Sequence, residues 1–242
     1  MERMSKYTLR NKADDARASL YIYGDIVDDV GGGIYKLFGI DGVVSPTDFR
    51  KQLEAVGDKP LDVYISSDGG DVPSGLAIAN MLARRKAETV GHVDGWAASI
   101  AGIIFLACCT ERHMPGNTFL MLHRPSLYGF NGNIDDFQKA VEFLKTTGDS
   151  LLAFIIGRVK DKDKEDEVEQ NYINEHWYNA EEAAGIFDIT LDPDNTYKAA
   201  AKCKSYTMPD AMKLQFDKAI ASDRKEKKQA IINALAESYG II

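Results

Sequence analysis

From residue 19 to residue 122 the chain switches repeatedly between two spacings of apolar side chains, and this switching restricts its fold more than any other feature. Residues 19–26, 61–65, 89–93 and 119–122 read as short strands, with residues 61–65 alternating apolar and polar. Between them, Ser45-Pro46 has the pattern of a capped helix start, predicting a helix over residues 45–53. Leu76, Ile78, Ala79 and Leu82 fall at helical spacing within residues 72–85. Strand after helix after strand predicts an α/β architecture of repeated strand-helix units joined by crossovers, rather than an all-helical or all-strand fold. Residues 97–109 are apolar nearly all round, so the helix expected there belongs at the centre of the fold.

The remainder of the chain reads as attachments to that core. Residues 134–159 predict a long, protruding helix that carries Ile134, Phe137, Val141, Leu151 and Ile155, more apolar surface than an isolated helix exposes, so a partner subunit is expected to cover it. Residues 160–170 are a run of mixed charge, expected as a solvated loop or helix end. Gly31-Gly-Gly33 reads as a turn, because no Lys-Ser or Lys-Thr follows it and the spacing of a dinucleotide fingerprint is missing. The expected organisation is a flexible arm over residues 1–18, a main domain over residues 19–192, and a polar linker with an amphipathic helical tail over residues 193–242.

Composition excludes several functions. In 242 residues, a 45% hydrophobic share is ample for a buried core, and a formal charge of −8 argues against nucleic acid or anionic membrane as a partner. The cysteines are Cys108, Cys109 and Cys203, an odd number with two of them adjacent in an apolar stretch. That pattern speaks for packing residues and a reducing cytoplasm, not for a disulfide framework. The polar start through Arg17 and an apolar run confined to residues 97–109 predict a soluble protein without a membrane span.

Three segments hold the chemistry. Asp94-Gly-Trp-Ala-Ala-Ser-Ile-Ala-Gly102 places Ser99 among small residues at the start of the buried helix, where a hydroxyl is accessible and the helix N-terminus favours developing negative charge. A serine in that setting, taken alone, is usually a helix cap. Ile65-Ser-Ser-Asp-Gly-Gly70 lies between a strand and a helix, where glycines let the backbone approach a ligand closely. Met121-Leu-His-Arg-Pro125 ends a strand at His123, which the following Arg-Pro leaves at a cleft edge. A hydroxyl needs a base to take its proton and donors to hold the oxyanion, and the three segments can supply nucleophile, base and donors in turn. His92 is expected in a strand, His113 in a turn over residues 111–115, and His176 beside Trp177; their spacing does not suggest zinc.

These segments, together with Glu175-His-Trp-Tyr-Asn-Ala-Glu-Glu-Ala-Ala184 and Phe187-Asp188, resemble the family of Clp-type proteolytic subunits, a branch of the wider crotonase-like fold. The resemblance covers roughly residues 19–191 and is strongest to the phage-encoded ClpP-related head maturation proteases. It implies a serine endopeptidase with Ser99 as nucleophile, His123 as general base, and the amides of Gly70 and Ile100 as the oxyanion hole. Glu175, two residues before Trp177, is the candidate third member of the triad, where the housekeeping enzymes carry an aspartate. Asp68 stands where the family has a proline, which places extra charge near the oxyanion site.

The resemblance further implies no cofactor or metal, a protein or peptide substrate, a homo-oligomeric ring, and a location in the host cytoplasm or the phage prohead. Scaffold or capsid proteins are the expected substrates. An unfoldase-assisted bacterial subunit is the alternative. A non-catalytic assembly protein and an acyl-CoA enzyme of the crotonase type are competing readings from other classes.

Overall fold

A computed structural model of the protein describes residues 16–38, 42–108 and 110–192. Cys109 and the whole expected linker and tail, residues 193–242 with Cys203, lie outside the described residues.

Strands β1 (Ala18–Ile26), β2 (Val43–Val44), β3 (Leu61–Gly70), β4 (Thr89–Ala98), β5 (Glu111–Pro115), β6 (Phe119–Leu122), β7 (His176–Asn179) and β8 (Thr190–Asp192) form one sheet. The main path runs β2-β1-β3-β4-β5-β8, parallel throughout. The sheet forks along β4. Its first half, from Val90 to His92, pairs with β5, and its second half, from Trp96 to Ala98, pairs with β6, to which β7 adds antiparallel. Helices α1 (Asp29–Leu37), α2 (Pro46–Val56), α3 (Val72–Ala83), α4 (Ile100–Ala107), α5 (Ile134–Ile156), α6 (Glu165–Ile173) and α7 (Ala180–Ile186) connect these strands. Among the described residues no helix is long and apolar enough to cross a membrane.

All of α4 is buried, as its uniformly apolar sequence predicts, and it packs with α3 and the central strands in one core. The helix is shorter than expected. Ala97 and Ala98 belong to β4, because their backbones pair with Leu120 and Met121 of β6, and the helix begins only after Ser99. Strand β3 likewise runs five residues past Ile65, because the inward alternation continues through Ser67 and Gly69 with small instead of apolar groups.

Two local expectations are corrected. Gly31, Gly32 and Gly33 lie inside α1, not in a turn. Asp28 caps that helix by accepting from the Gly31 amide at 2.6 Å, and Asp29 accepts from both the amide and the hydroxyl of Thr47 at the start of α2. Gly32 is needed there because a Cβ would fall 2.9 Å from Ser45 Cβ. Residues 111–115 form β5, so His113 sits in a strand; the small apolar count hid it, since only Arg112 and Met114 face inward. The charged run over residues 160–170 is mostly exposed, as expected, and is the helical turn Lys162–Lys164 and the start of α6; the departure is Val168, which is fully buried.

At the amino end, Ala18 is already buried in β1 and Arg17 pairs with Asp62 and Glu88 at 2.8 Å each, while residues 1–15 of the expected arm lie outside the described residues. The long helix is present as α5. Its second half buries Leu151 and Ile155, while Ile134, Phe137, Val141 and Phe143 of the first half are exposed.

Candidate active site

Sheet register assembles the site. Parallel pairing of Ala98 with Met121 sets the next residues, Ser99 and Leu122, side by side, and the Ser99 amide donates to Met121 O at 2.9 Å. Antiparallel pairing of Leu122 with His176 sets the flanking residues, His123 and Glu175, opposite one another. Three residues distant in sequence thus meet at the ends of three adjacent strands, β4, β6 and β7.

Ser99 occupies the N-cap position of α4 with φ 56° and ψ −127°, and its side chain makes no capping bond. The hydroxyl instead lies 2.8 Å from His123 Nε2. With the proton of the neutral imidazole on Nδ1, the hydroxyl donates to Nε2, the arrangement from which a base removes its proton. A left-handed serine between a strand and a buried helix is a sharp elbow that presents the hydroxyl away from the backbone. The reading of Ser99 as a helix cap therefore fails on the direction of its side chain.

Ile100 is the first residue of α4, so its amide has no acceptor within the helix and points with the dipole toward the space before Ser99. Gly69 abuts that amide. Its φ is 95°, and a Cβ there would fall 2.8 Å from Ser99 Cβ and 3.1 Å from Ile100 N. Gly70, with φ 142°, lies against β1, where a Cβ would fall 2.0 Å from Ile26 O. Sequence reasoning singled out Gly70 and passed over Gly69, although the Gly-Gly pair was the signal for both.

Glu175 reaches His123 less closely. Its Oε2 is 3.7 Å from His123 Nδ1, too long for a hydrogen bond, and its side chain is 56% exposed. The backbone there is also left-handed, with φ 57°. The neighbouring His176 is engaged elsewhere, with Glu182 at 2.7 Å. His92 and His113 stack on each other at 5.3 Å away from Ser99, in a row with Tyr64 across the sheet.

Asp68 is tied to an indole. Its Oδ1 accepts from Trp96 Nε1 at 2.6 Å, so the carboxylate expected to add charge near the oxyanion site is held in place by an indole donor. The sequence reading missed Trp96, which stands three residues before Ser99.

A cleft of about 550 Å³ opens beside His123 and Glu175, lined among others by Pro125, Leu144, Gly148 and Tyr172. Burial pushes the Tyr172 hydroxyl up to about 12, so it stays protonated and donates to Gly148 O at 3.2 Å, fixing α6 against α5. Behind Ser99, the side chains of Val72, Ile103, Leu122 and Leu151 close a small apolar recess of about 10 Å³. His123 and Pro125 border both spaces, and Ser99 and Ile100 line the recess.

Residues 51–190 match the family model described as Clp protease. Subunit 3 of the ATP-dependent Clp protease proteolytic component of Rhizobium johnstonii is 31% identical over 135 residues, covering 54% of this chain and 66% of that one. Subunit 2 from Gluconobacter oxydans is 33% identical over 140 residues, covering 54% of this chain and 59% of the relative. The chain thus spans less than two thirds of the length of these curated relatives. A solved structure of a ClpP1 mutant from Listeria monocytogenes superposes with a TM-score of 0.55 at 22% identity, covering 73% of this chain and 92% of that one. That likeness is one of fold.

Proposed function

Because the chain belongs to the Clp protease family, we propose that it is a serine endopeptidase that works through an acyl-enzyme on Ser99. The observation that carries the reading is the 2.8 Å contact between Ser99 Oγ and His123 Nε2 at a strained turn.

Ser99 Oγ attacks the scissile carbonyl carbon as His123 Nε2 takes the hydroxyl proton, and the carbonyl electron pair moves onto oxygen. The amides of Ile100 and Gly70 hold that oxyanion, at the head of a helix already oriented toward it. Collapse of the tetrahedral species breaks the C–N bond, and His123 gives its proton to the leaving amine. Water then adds to the ester with His123 again as base, releasing the acid and restoring Ser99. Glu175 opposes the imidazolium charge across 3.7 Å, a weaker aid than a hydrogen-bonded carboxylate. Loss of protein-substrate cleavage in Ser99→Ala with the fold retained is the expected result. Equal cleavage by Ser99→Ala and wild type contradicts the reading.

The chain works in this reading as a homo-oligomer joined through the exposed first half of α5, since Ile134, Phe137, Val141 and Phe143 form apolar surface there. Its role is processing of scaffold or capsid proteins in phage head maturation, in the host cytoplasm or the prohead. The support is the Glu175-His176-Trp177 motif, which resembles the phage-encoded branch. A second reading is a bacterial proteolytic subunit fed by an unfoldase, supported by relatives that are named as subunits of ATP-dependent proteases. Incubation with scaffold and capsid proteins, with and without a Clp unfoldase and ATP, separates the two. Cleavage without ATP favours the phage role, and cleavage only with unfoldase and ATP favours the second.

A further inference from the structure

We propose that Trp96 is a positioning residue, clamping the glycine turn of the oxyanion site to the strand that follows Glu175; the inference rests on the serine peptidase reading above. Its indole Nε1 donates to Asp68 Oδ1 at 2.6 Å, and its ring meets Trp177 edge to face at 6.3 Å. An indole N–H to a carboxylate is a charge-assisted bond, short and strongly directional.

The backbone is shaped to bring this ring over the turn. Between the pairs Ile65↔Val93 and Ser67↔Ala97, strand β4 has three residues, Asp94, Gly95 and Trp96, where β3 has only Ser66. A bulge of this kind re-aims a side chain. On the inner side of the same turn, Ser67 Oγ donates to Gly24 O at 2.6 Å and accepts from Gly69 N at 3.1 Å. The turn is therefore held from both sides, and the residue after Asp68 is Gly69, which lies so near Ser99 and Ile100 that an added Cβ would fall 2.8 Å from Ser99 Cβ and 3.1 Å from Ile100 N. A displacement of Asp68 passes to the oxyanion donors within one residue.

Trp177 extends the clamp. It stands two residues past Glu175 and pairs with Met121, whose carbonyl accepts from the Ser99 amide. Both rings are close to half exposed, at 45% and 44%, so neither is a core side chain whose loss opens a cavity. What the pair contributes is geometry.

The test is the rate at which a fluorophosphonate probe phosphonylates Ser99 in the full chain, comparing wild type with Trp96→Phe, Asp68→Ala, Asp68→Asn and the Trp96→Phe/Asp68→Ala double variant. Phosphonylation makes a tetrahedral adduct whose oxygen needs the same donors. The maximal rate constant falls about tenfold in Trp96→Phe and in Asp68→Ala, while the half-saturating probe concentration stays within about twofold. The double variant is no slower than either single, and Asp68→Asn, whose amide oxygen still accepts, recovers most of the loss. If Ser99 is labelled in wild type but both single variants keep rates within about twofold of it, the clamp is overturned and the peptidase reading stands. Additive losses that Asp68→Asn does not recover also overturn it. If wild type is not labelled, the peptidase reading fails and takes the clamp with it.

Discussion

Ser99 and Glu175 share a left-handed backbone, with φ of 56° and 57°, and among the described residues they are the non-glycine positions that do so. Each such conformation costs about 1–3 kcal/mol and persists only where the surroundings impose it. Here the surroundings are the strand registers: Ser99 leaves β4 beside Met121, and Glu175 precedes β7 opposite His123. Strain at these two places brackets the imidazole from both sides. A segment free to relax would lose that bracket, which connects the energetics of the sheet directly to the chemistry of the site.

Glu175→Gln is expected to lower kcat by about tenfold with little change in KM. A tightly bonded triad carboxylate contributes about 10⁴-fold, and the 3.7 Å gap and exposure of Glu175 predict much less. Steady-state hydrolysis of a peptide substrate measures it. A loss approaching the full factor would show that the carboxylate closes on Nδ1 when substrate binds.

Gly69→Ala is expected to silence Ser99 while Gly75→Ala mainly destabilises. The first places a Cβ against Ser99 Cβ and Ile100 N at φ 95°. The second places one 2.2 Å from Ile100 Cγ1, at the close approach of α3 to α4, an overpacking of about 1–3 kcal/mol. Thermal midpoints and fluorophosphonate labelling of both variants check the contrast. Normal labelling of Gly69→Ala would contradict it.

Stability should fall with rising pH through His113. Burial lowers its pKa, but hydrogen bonds to Asp192 at 2.9 Å and Glu111 at 3.1 Å outweigh burial and hold it above the ordinary value of 6.5. A group raised in the folded state gives stability that is fully present below its unfolded value and is lost as pH rises through the folded one. The stacked His92 faces it from β4 and is paired with Asp62. The thermal midpoint of wild type is therefore expected to drop more than that of His113→Gln as pH rises from below 6.5 through the raised folded value. Parallel curves for the two proteins would remove this account.

Charge on the exposed face of α5 should disperse the homo-oligomer proposed above. Phe137→Glu with Val141→Glu puts two carboxylates where apolar side chains now face outward, and neither residue is buried in the subunit. Light scattering is expected to report a smaller species with an unchanged circular dichroism spectrum. An unchanged mass would move the interface elsewhere.

The parts of the fold legible in the sequence were those with strong periodicity: the central strands, the wholly apolar α4 and the long α5. What escaped depends on pairing between distant segments. Strands β5, β7 and β8 lack the apolar run that marks the equally short β6, and exist because β4, β6 and β5 present open edges to them. The glycines of α1 defeated local propensity because Asp28, Asp29 and Ser45 supply the caps and the close contact that a glycine-rich helix needs. In the site, Ser99 and His123 stood out through their flanking residues, and register brings them within 2.8 Å. Trp96 did not stand out, since its partner Asp68 is 28 residues away and only the bulge in β4 aims one at the other.

The central claim is that Ser99 is a nucleophile activated by His123. Peptide mapping by mass spectrometry after treatment with a fluorophosphonate tests it most directly. The account predicts one adduct, on Ser99, in the wild-type protein, strongly reduced in His123→Ala and absent from Ser99→Ala. A folded, assembled wild type that carries no adduct on Ser99, or carries it equally without His123, would contradict it.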